Sequence, residues 1–182
     1  MDWTQELVDQ LEWHWRNQLR PRLEGLTDEE YLWEPVGGCW NLRRRGESTT
    51  SQAAGAGAFV LDYAFPEPDP PPVTTLAWRL CHLLVGVFGM RVASHFGGPP
   101  MTYQDVVYPE RADEALRQLD EVHARWAGGV RSLDAAGLAA PAGPTEAFPD
   151  ASMAALVLHI NREAIHHGAE ISLLRDLYRR RS

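Results

Sequence analysis

Lysine does not occur in this chain of 182 residues; all of its Lys+Arg total of 17 is arginine. Chemistry that needs a lysine amine, Schiff-base formation above all, is thereby excluded. Cysteine is nearly absent. Cys39 and Cys81 lie far apart and form no redox or metal-ligand motif, which leaves at most a single bridge and no disulfide framework. No run approaches the roughly eighteen uninterrupted apolar residues of a membrane span, so none is expected. The opening Met1-Asp2-Trp3-Thr4-Gln5-Glu6 is polar and acidic, unlike a signal peptide. A reducing cytoplasm is the expected compartment. Positive charge is also in deficit. A net charge of -8 argues against nucleic acid as a main partner. The short runs Arg43-Arg44-Arg45 and Arg179-Arg180-Arg181 read as solvated surface, the second at a helix C-terminus that favours positive charge. Internal repeats, a dinucleotide fingerprint and strong strand patterns are missing.

What remains is helical periodicity. Trp3, Leu7, Leu11 and Trp15 recur every fourth residue and predict a helix to about Leu23, with Pro21 bending or ending it. Thr27-Asp28-Glu29-Glu30 has the form of a capping box and opens a short helix. Residues 35–73, rich in Gly, Ser, Thr and Pro, form a long connection in which Phe59, Val60 and Leu61 make a short strand or pack over the core; one end could act as a lid. Thr74-Thr75 caps a second main helix running to about Phe96, and Gly97-Gly98-Pro99-Pro100 ends it. A third covers about 111–133. Asp150 can cap a fourth that reaches about Tyr178, roughly 45 Å at about 1.5 Å per residue. The expected fold is all-α: a single four-helix-bundle domain over 1–182, with a long connection between the first and second main helices. Bundle interiors hold metal sites built from facing helices.

The segment His159 to Glu170 carries His159, Glu163, His166, His167 and Glu170 beside Leu158, Ile160, Ile165 and Ile171. At about 100° per residue, with His159 at zero, Glu163 lies near 40°, His166 near −20°, His167 near 80° and Glu170 near 20°, so all five share one side. Burying them unpaired would cost several kcal/mol each, roughly, so a metal ion or a polar network must compensate. His159/Glu163 and Glu163/His167 both have the i, i+4 spacing that lets two side chains reach one ion. Glu163 belongs to both pairs and is the best single ligand candidate. A third ligand has to come from another helix. His82, inside the apolar run Leu80-Cys81-His82-Leu83-Leu84, is the strongest applicant. His14 reads as a packed core histidine, and His95 and His123 as exposed. The competing interpretation is a buried Glu–His–Arg network with Arg162 or Arg79 supplying the charge.

At these residues the sequence resembles the DinB/YfiT-like superfamily, which includes mycothiol-dependent maleylpyruvate isomerase. The resemblance rests on Leu76-Ala77-Trp78-Arg79-Leu80-Cys81-His82, on Trp33-Glu34-Pro35 through Gly38-Cys39-Trp40, and on Glu163-Ala164-Ile165-His166-His167-Gly168-Ala169-Glu170, an E-x-x-x-H-x-x-E pattern. It implies a four-helix bundle with a three-ligand site at His82, Glu163 and His167. Two departures stand out. Glutamate takes a place where histidine is commoner, and Glu170 stands where the family has Gln or Asp. A rival register uses His159 and Glu163, with His167 behind them.

Two imidazoles and a carboxylate leave coordination positions open, as in catalytic zinc sites and non-haem iron triads. The expected cofactor is a divalent metal, zinc first, with nickel and iron as the others. Such an ion lowers the pKa of a thiol or a water. The resemblance implies that the thiol belongs to mycothiol or another low-molecular-weight thiol. The expected activity is then thiol transfer, or thiol-assisted isomerisation, of a small electrophilic substrate. Arg79 or Arg162 would position an anionic group, and His166 or Glu170 would shuttle a proton. Metal-dependent hydrolysis, with Glu170 as base, is a further possibility. The alternative from another class is a binding module without turnover, a stress-linked sensor or dimeric scaffold. Exposed tryptophans on the first helix, with the family habit, suggest a homodimer.

Overall fold

A computed structural model describes residues 2–181. The chain is mostly helical, with one small sheet. Helix α1 runs over Trp3–His14, continues through a π-helical stretch Trp15–Leu19 and ends with Arg20–Arg22. Pro21 lies in that last turn, where it supplies no N–H to the helix ladder and the chain turns away soon after. Helix α2 is the single turn Asp28–Tyr31, and Thr27 caps it by accepting from the Glu30 N–H at 3.2 Å. Strands β1 (Leu42–Arg44) and β2 (Phe59–Leu61) pair antiparallel, Leu42 opposite Leu61. Helix α3 spans Leu76–His95, with a π-helical stretch Leu83–Gly89 at its centre. Helix α4 is Ala112–Arg131, α5 is Ala135–Ala139, and α6 is Met153–Arg179.

Helix α1 packs on α4 and α6, and α3 packs on the same two. Leu11, Leu19, Leu80, Leu83, Phe88, Leu119, Trp126, Ile160 and Ile171 meet in the core between them. Each such side chain contributes about 1.5–3 kcal/mol on burial. The start of α3 is fixed by local chemistry, since the Thr75 hydroxyl accepts from the Trp78 N–H and donates to Asn41 Oδ1 at 2.7 Å. That bond ties α3 to the preceding segment and sets where His82 comes to lie.

Several expectations need correction. The all-helical reading is qualified by a small sheet: Phe59–Leu61, given as a short strand or core packing, is β2, and its partner Leu42–Arg44 carries too little alternation to register. Ser152, not Asp150, caps α6, accepting from the Ala155 N–H at 3.2 Å. Arg43 is no solvated surface residue: its Nε donates to buried Asp62 at 2.7 Å and its Nη2 lies 2.8 Å from Glu34. Helix α3 is long and apolar enough to cross a membrane by length and composition, with mean hydropathy 1.4 over its most apolar window, though no uninterrupted run flags it. That window is 61% buried against the other helices. Of the tryptophans on α1, Trp3 and Trp13 are exposed and Trp15 is buried.

Candidate metal centre

His82 closes the regular first part of α3, just ahead of the π stretch. Trp78, one turn earlier, stacks on its ring at 5.4 Å and 18°. The Tyr103 hydroxyl, from the loop after α3, lies 2.7 Å from His82 Nδ1. Burial, then the neighbouring His167, Arg79 and Arg91, pushes the His82 pKa down to about 3. The ring is therefore neutral at ordinary pH, the form in which imidazole ligates metals. When Nδ1–H donates to the Tyr103 oxygen, Nε2 keeps its lone pair.

His167 meets His82 from α6, with ring centroids 4.8 Å apart at 89°. Its Nε2 lies 3.6 Å from Glu163 Oε2, one turn back on the same helix. Its Nδ1 lies 2.7 Å from Glu170 Oε2, one turn on. Arg79 Nη1 is 3.2 Å from the same Nδ1, and Arg79 Nη2 is 3.2 Å from Glu170 Oε1. An arginine only donates, so Nδ1 cannot serve both neighbours. The shorter contact to a carboxylate prevails, and the guanidinium is held by Glu170. Burial lowers the His167 pKa, and the Glu170 hydrogen bond opposes that shift. Burial lowers that of Arg79, opposed by the Glu170 charge.

The structure thus brings His82, Glu163, His167, Glu170 and Arg79 together. His166, 62% exposed, adds Nε2 at 3.4 Å from Glu170 Oε1. Ligand-type atoms of His166, His167 and Glu170 all lie within 4.8 Å of one another, a tight His–His–Glu grouping. His159 and Arg162 sit at the outer end of the cluster. Arg162 Nη2 is 2.5 Å from His159 Nδ1, and His159 Nδ1 is 3.6 Å from Glu163 Oε1. A cavity of about 640 Å³ opens beside His82, lined also by Trp78, Tyr63 and Tyr103.

Two donor sets therefore flank the His167 ring. On the Nδ1 side stand His166 and Glu170, with the Arg79 guanidinium against both Nδ1 and Glu170. On the Nε2 side stands Glu163, and the His82 ring meets the His167 ring at 89° with centroids 4.8 Å apart. A cation on the first side would sit against a fixed positive charge. Both sides have imidazole and carboxylate donors suited to a divalent ion.

Sequence reasoning missed Tyr103. It lies in an irregular loop, where periodicity gives no signal. His95 and His123, expected on the surface, are enclosed. His95 Nε2 pairs with Glu146 at 2.9 Å, each side chain 7% exposed. His123 is stacked on Trp15 at 3.8 Å. His14 packs against α6, where a Cβ on Gly168 would lie 2.9 Å from its Nε2.

The DinB superfamily model matches residues 10–171, nearly the whole chain. The protein belongs to the DinB superfamily. A search of curated proteins gave no match, and a search of solved structures gave none either.

Proposed function

We propose that this protein is a metal-dependent enzyme that uses a low-molecular-weight thiol, mycothiol or a relative, to transfer to or isomerise a small electrophile. The ligands in this reading are His82, Glu163 and His167, held in a four-helix bundle of the DinB type whose long connection joins the first two main helices. One observation carries it. His167 has Nδ1 engaged by Glu170 at 2.7 Å, and Nε2 is left facing Glu163 at 3.6 Å. A ligating histidine is commonly oriented by just such a carboxylate behind it. The position of Arg79 favours the Nε2 side over the His166–His167–Glu170 side on charge.

When bound, a zinc, nickel or iron ion supplies Lewis acidity that lowers the pKa of a thiol or water. The chain's own groups do the rest. Glu170 holds Nδ1–H of His167 and can take up a proton at Oε1, where exposed His166 relays it to solvent. Arg79 fixes Glu170, and Arg162, 70% exposed and paired with Glu163 at 3.4 Å, stands at the rim where it would meet a polar end of the thiol. Trp78 and Tyr103 keep His82 in place and wall off water. The reading includes a homodimer through the exposed Trp3 and Trp13, and a cytoplasmic setting.

Elemental analysis of the purified protein beside His82→Ala and Glu163→Ala tests the ligand assignment. Wild type should carry one divalent ion per chain and both variants should lose it. Unchanged metal content in either variant overturns the assignment. Consumption of electrophiles with and without added thiol tests the reaction. A broad panel without thiol-dependent turnover would assign the site to binding alone.

A further inference from the structure

We propose that the cavity beside His82 takes an uncharged, planar, mostly apolar molecule and rejects one carrying a carboxylate or phosphate. Its volume of about 640 Å³ suits a small organic ligand. Its wall is aromatic: Trp78, Tyr63 and Tyr103 surround His82, and Gln52 and Gln104 add two neutral amides. Among the described residues that line it there is no arginine, aspartate or glutamate.

Two polar atoms of the aromatic wall, Trp78 Nε1 and Tyr103 Oη, are already engaged, and the Tyr63 hydroxyl joins the two amides as a neutral polar group. Trp78 Nε1 donates to the Asp62 carbonyl at 2.8 Å and its ring is already stacked on His82 at 5.4 Å, with the Arg79 guanidinium 5.5 Å from its centre, so the Tyr63 ring with Leu61 and Ala54 offers the apolar contact. The Tyr103 hydroxyl is bound to His82 Nδ1 at 2.7 Å. The two arginines whose charge acts on His82 are also committed. Arg79 is held by Glu170 at 3.2 Å, and Arg91 donates to the Gly86 carbonyl at 2.6 Å and pairs with Glu146 at 3.3 Å. In the metal-free protein a carboxylate entering this cavity would lose its water and gain no cation. A planar apolar molecule gains stacking and burial, and the two amides can satisfy one neutral polar group. Whether this occupant is a substrate rests on the metal reading above. Its charge preference in the metal-free protein depends on the lining alone.

Metal-free protein titrated with 2-naphthylmethanol and with 2-naphthoate tests the inference, with calorimetry and tryptophan fluorescence as readouts. The two probes share a ring system and differ in charge. The alcohol should bind at least ten-fold more tightly than the carboxylate. Ala53→Trp, which fills the cavity and touches no proposed ligand, should weaken the alcohol at least ten-fold, and Gln104→Trp at the rim should do the same if the first variant fails to fold. Equal or tighter naphthoate binding, undiminished binding in both filled variants, or binding of neither probe would overturn it. Metal content of the same preparations measured before the metal is stripped keeps the two readings apart, since loss of the metal assignment leaves the probe preference unchanged.

Discussion

Glu170 touches three partners at once: His167 Nδ1 at 2.7 Å, Arg79 Nη2 at 3.2 Å and His166 Nε2 at 3.4 Å. Its charge orients His167, and in the proposed ligand set it acts on a cation through that ring. Glu170→Gln keeps the shape and removes the charge. Zinc affinity should fall about 10–100-fold in a competition titration, with little loss of thermal stability. An unaltered affinity would deny Glu170 its orienting role. His123 shows another residue whose surroundings decide its charge. Burial, then Arg131 and Arg16, pushes its pKa down to about 4. An unfolded histidine titrates near 6.5, so between that pH and about 4 the unfolded chain binds the extra proton. The stability in question is complete above pH ~6.5 and is lost as pH falls towards 4, by about 2–3 kcal/mol. Urea unfolding at pH 7 and pH 4.5 should show that loss in wild type and a flatter profile in His123→Gln. Parallel profiles would place the acid sensitivity elsewhere.

The π-helical stretch of α3 brings Gly86 and Gly89 to one face, three residues apart. A Cβ on Gly86 would lie 2.0 Å from Tyr103 Oη and 3.0 Å from His82 Nδ1, and one on Gly89 would lie 2.0 Å from Met101 Sδ. The element thus clears room for the loop that follows it, and so lets a tyrosine reach a histidine on the helix. Gly86→Ala should push the Tyr103 hydroxyl off His82. The clash is with the far end of a side chain, and alanine gains about 1 kcal/mol of helix propensity over glycine, so melting temperature should change by only a few degrees. Zinc affinity should fall about ten-fold. Tyr103→Phe, which removes the hydroxyl without a clash, should match it. Full affinity in both variants would show that Tyr103 does not orient His82. At this scale the sequence was readable wherever chemistry is local. Thr27 and Thr75 cap helices by bonds to residues three further on, and Glu163 and His167 share one helix face. Tyr103 was not readable, because its contact with His82 depends on the path of a loop with no period. The pairing of Arg43 with Asp62 was hidden likewise, because the three-residue strand Leu42–Arg44 that carries Arg43 gives no alternation to read.

Across the whole molecule, apolar spacing was enough to place the long helices, since each buries one stripe against its neighbours. Spacing says nothing of how their ends are joined, and that is where Arg175 acts. This residue of α6 is 2% exposed and had no signature within its helical pattern. Its Nε donates to Glu30 Oε1 at 2.8 Å, its Nη1 to the Arg22 carbonyl and its Nη2 to the Glu24 carbonyl at 2.7 Å. One guanidinium thus binds the end of α1, the turn after it and helix α2 to the last helix of the chain. Glu30, 3% exposed, gives the buried charge its counter-ion. Removing one member strands the other in a dry interior, at a cost of about 3–5 kcal/mol, whereas replacing both by apolar groups removes the charge problem altogether. Glu30→Ala alone should therefore lower the melting temperature by roughly 10 °C in a chain of this size. Arg175→Met combined with Glu30→Leu should recover much of that loss. The charge pair is the source of the effect if the double variant melts above either single one. A double variant that melts no higher than Arg175→Met alone would show instead that the two carbonyl bonds, and not the ion pair, hold the helix ends together.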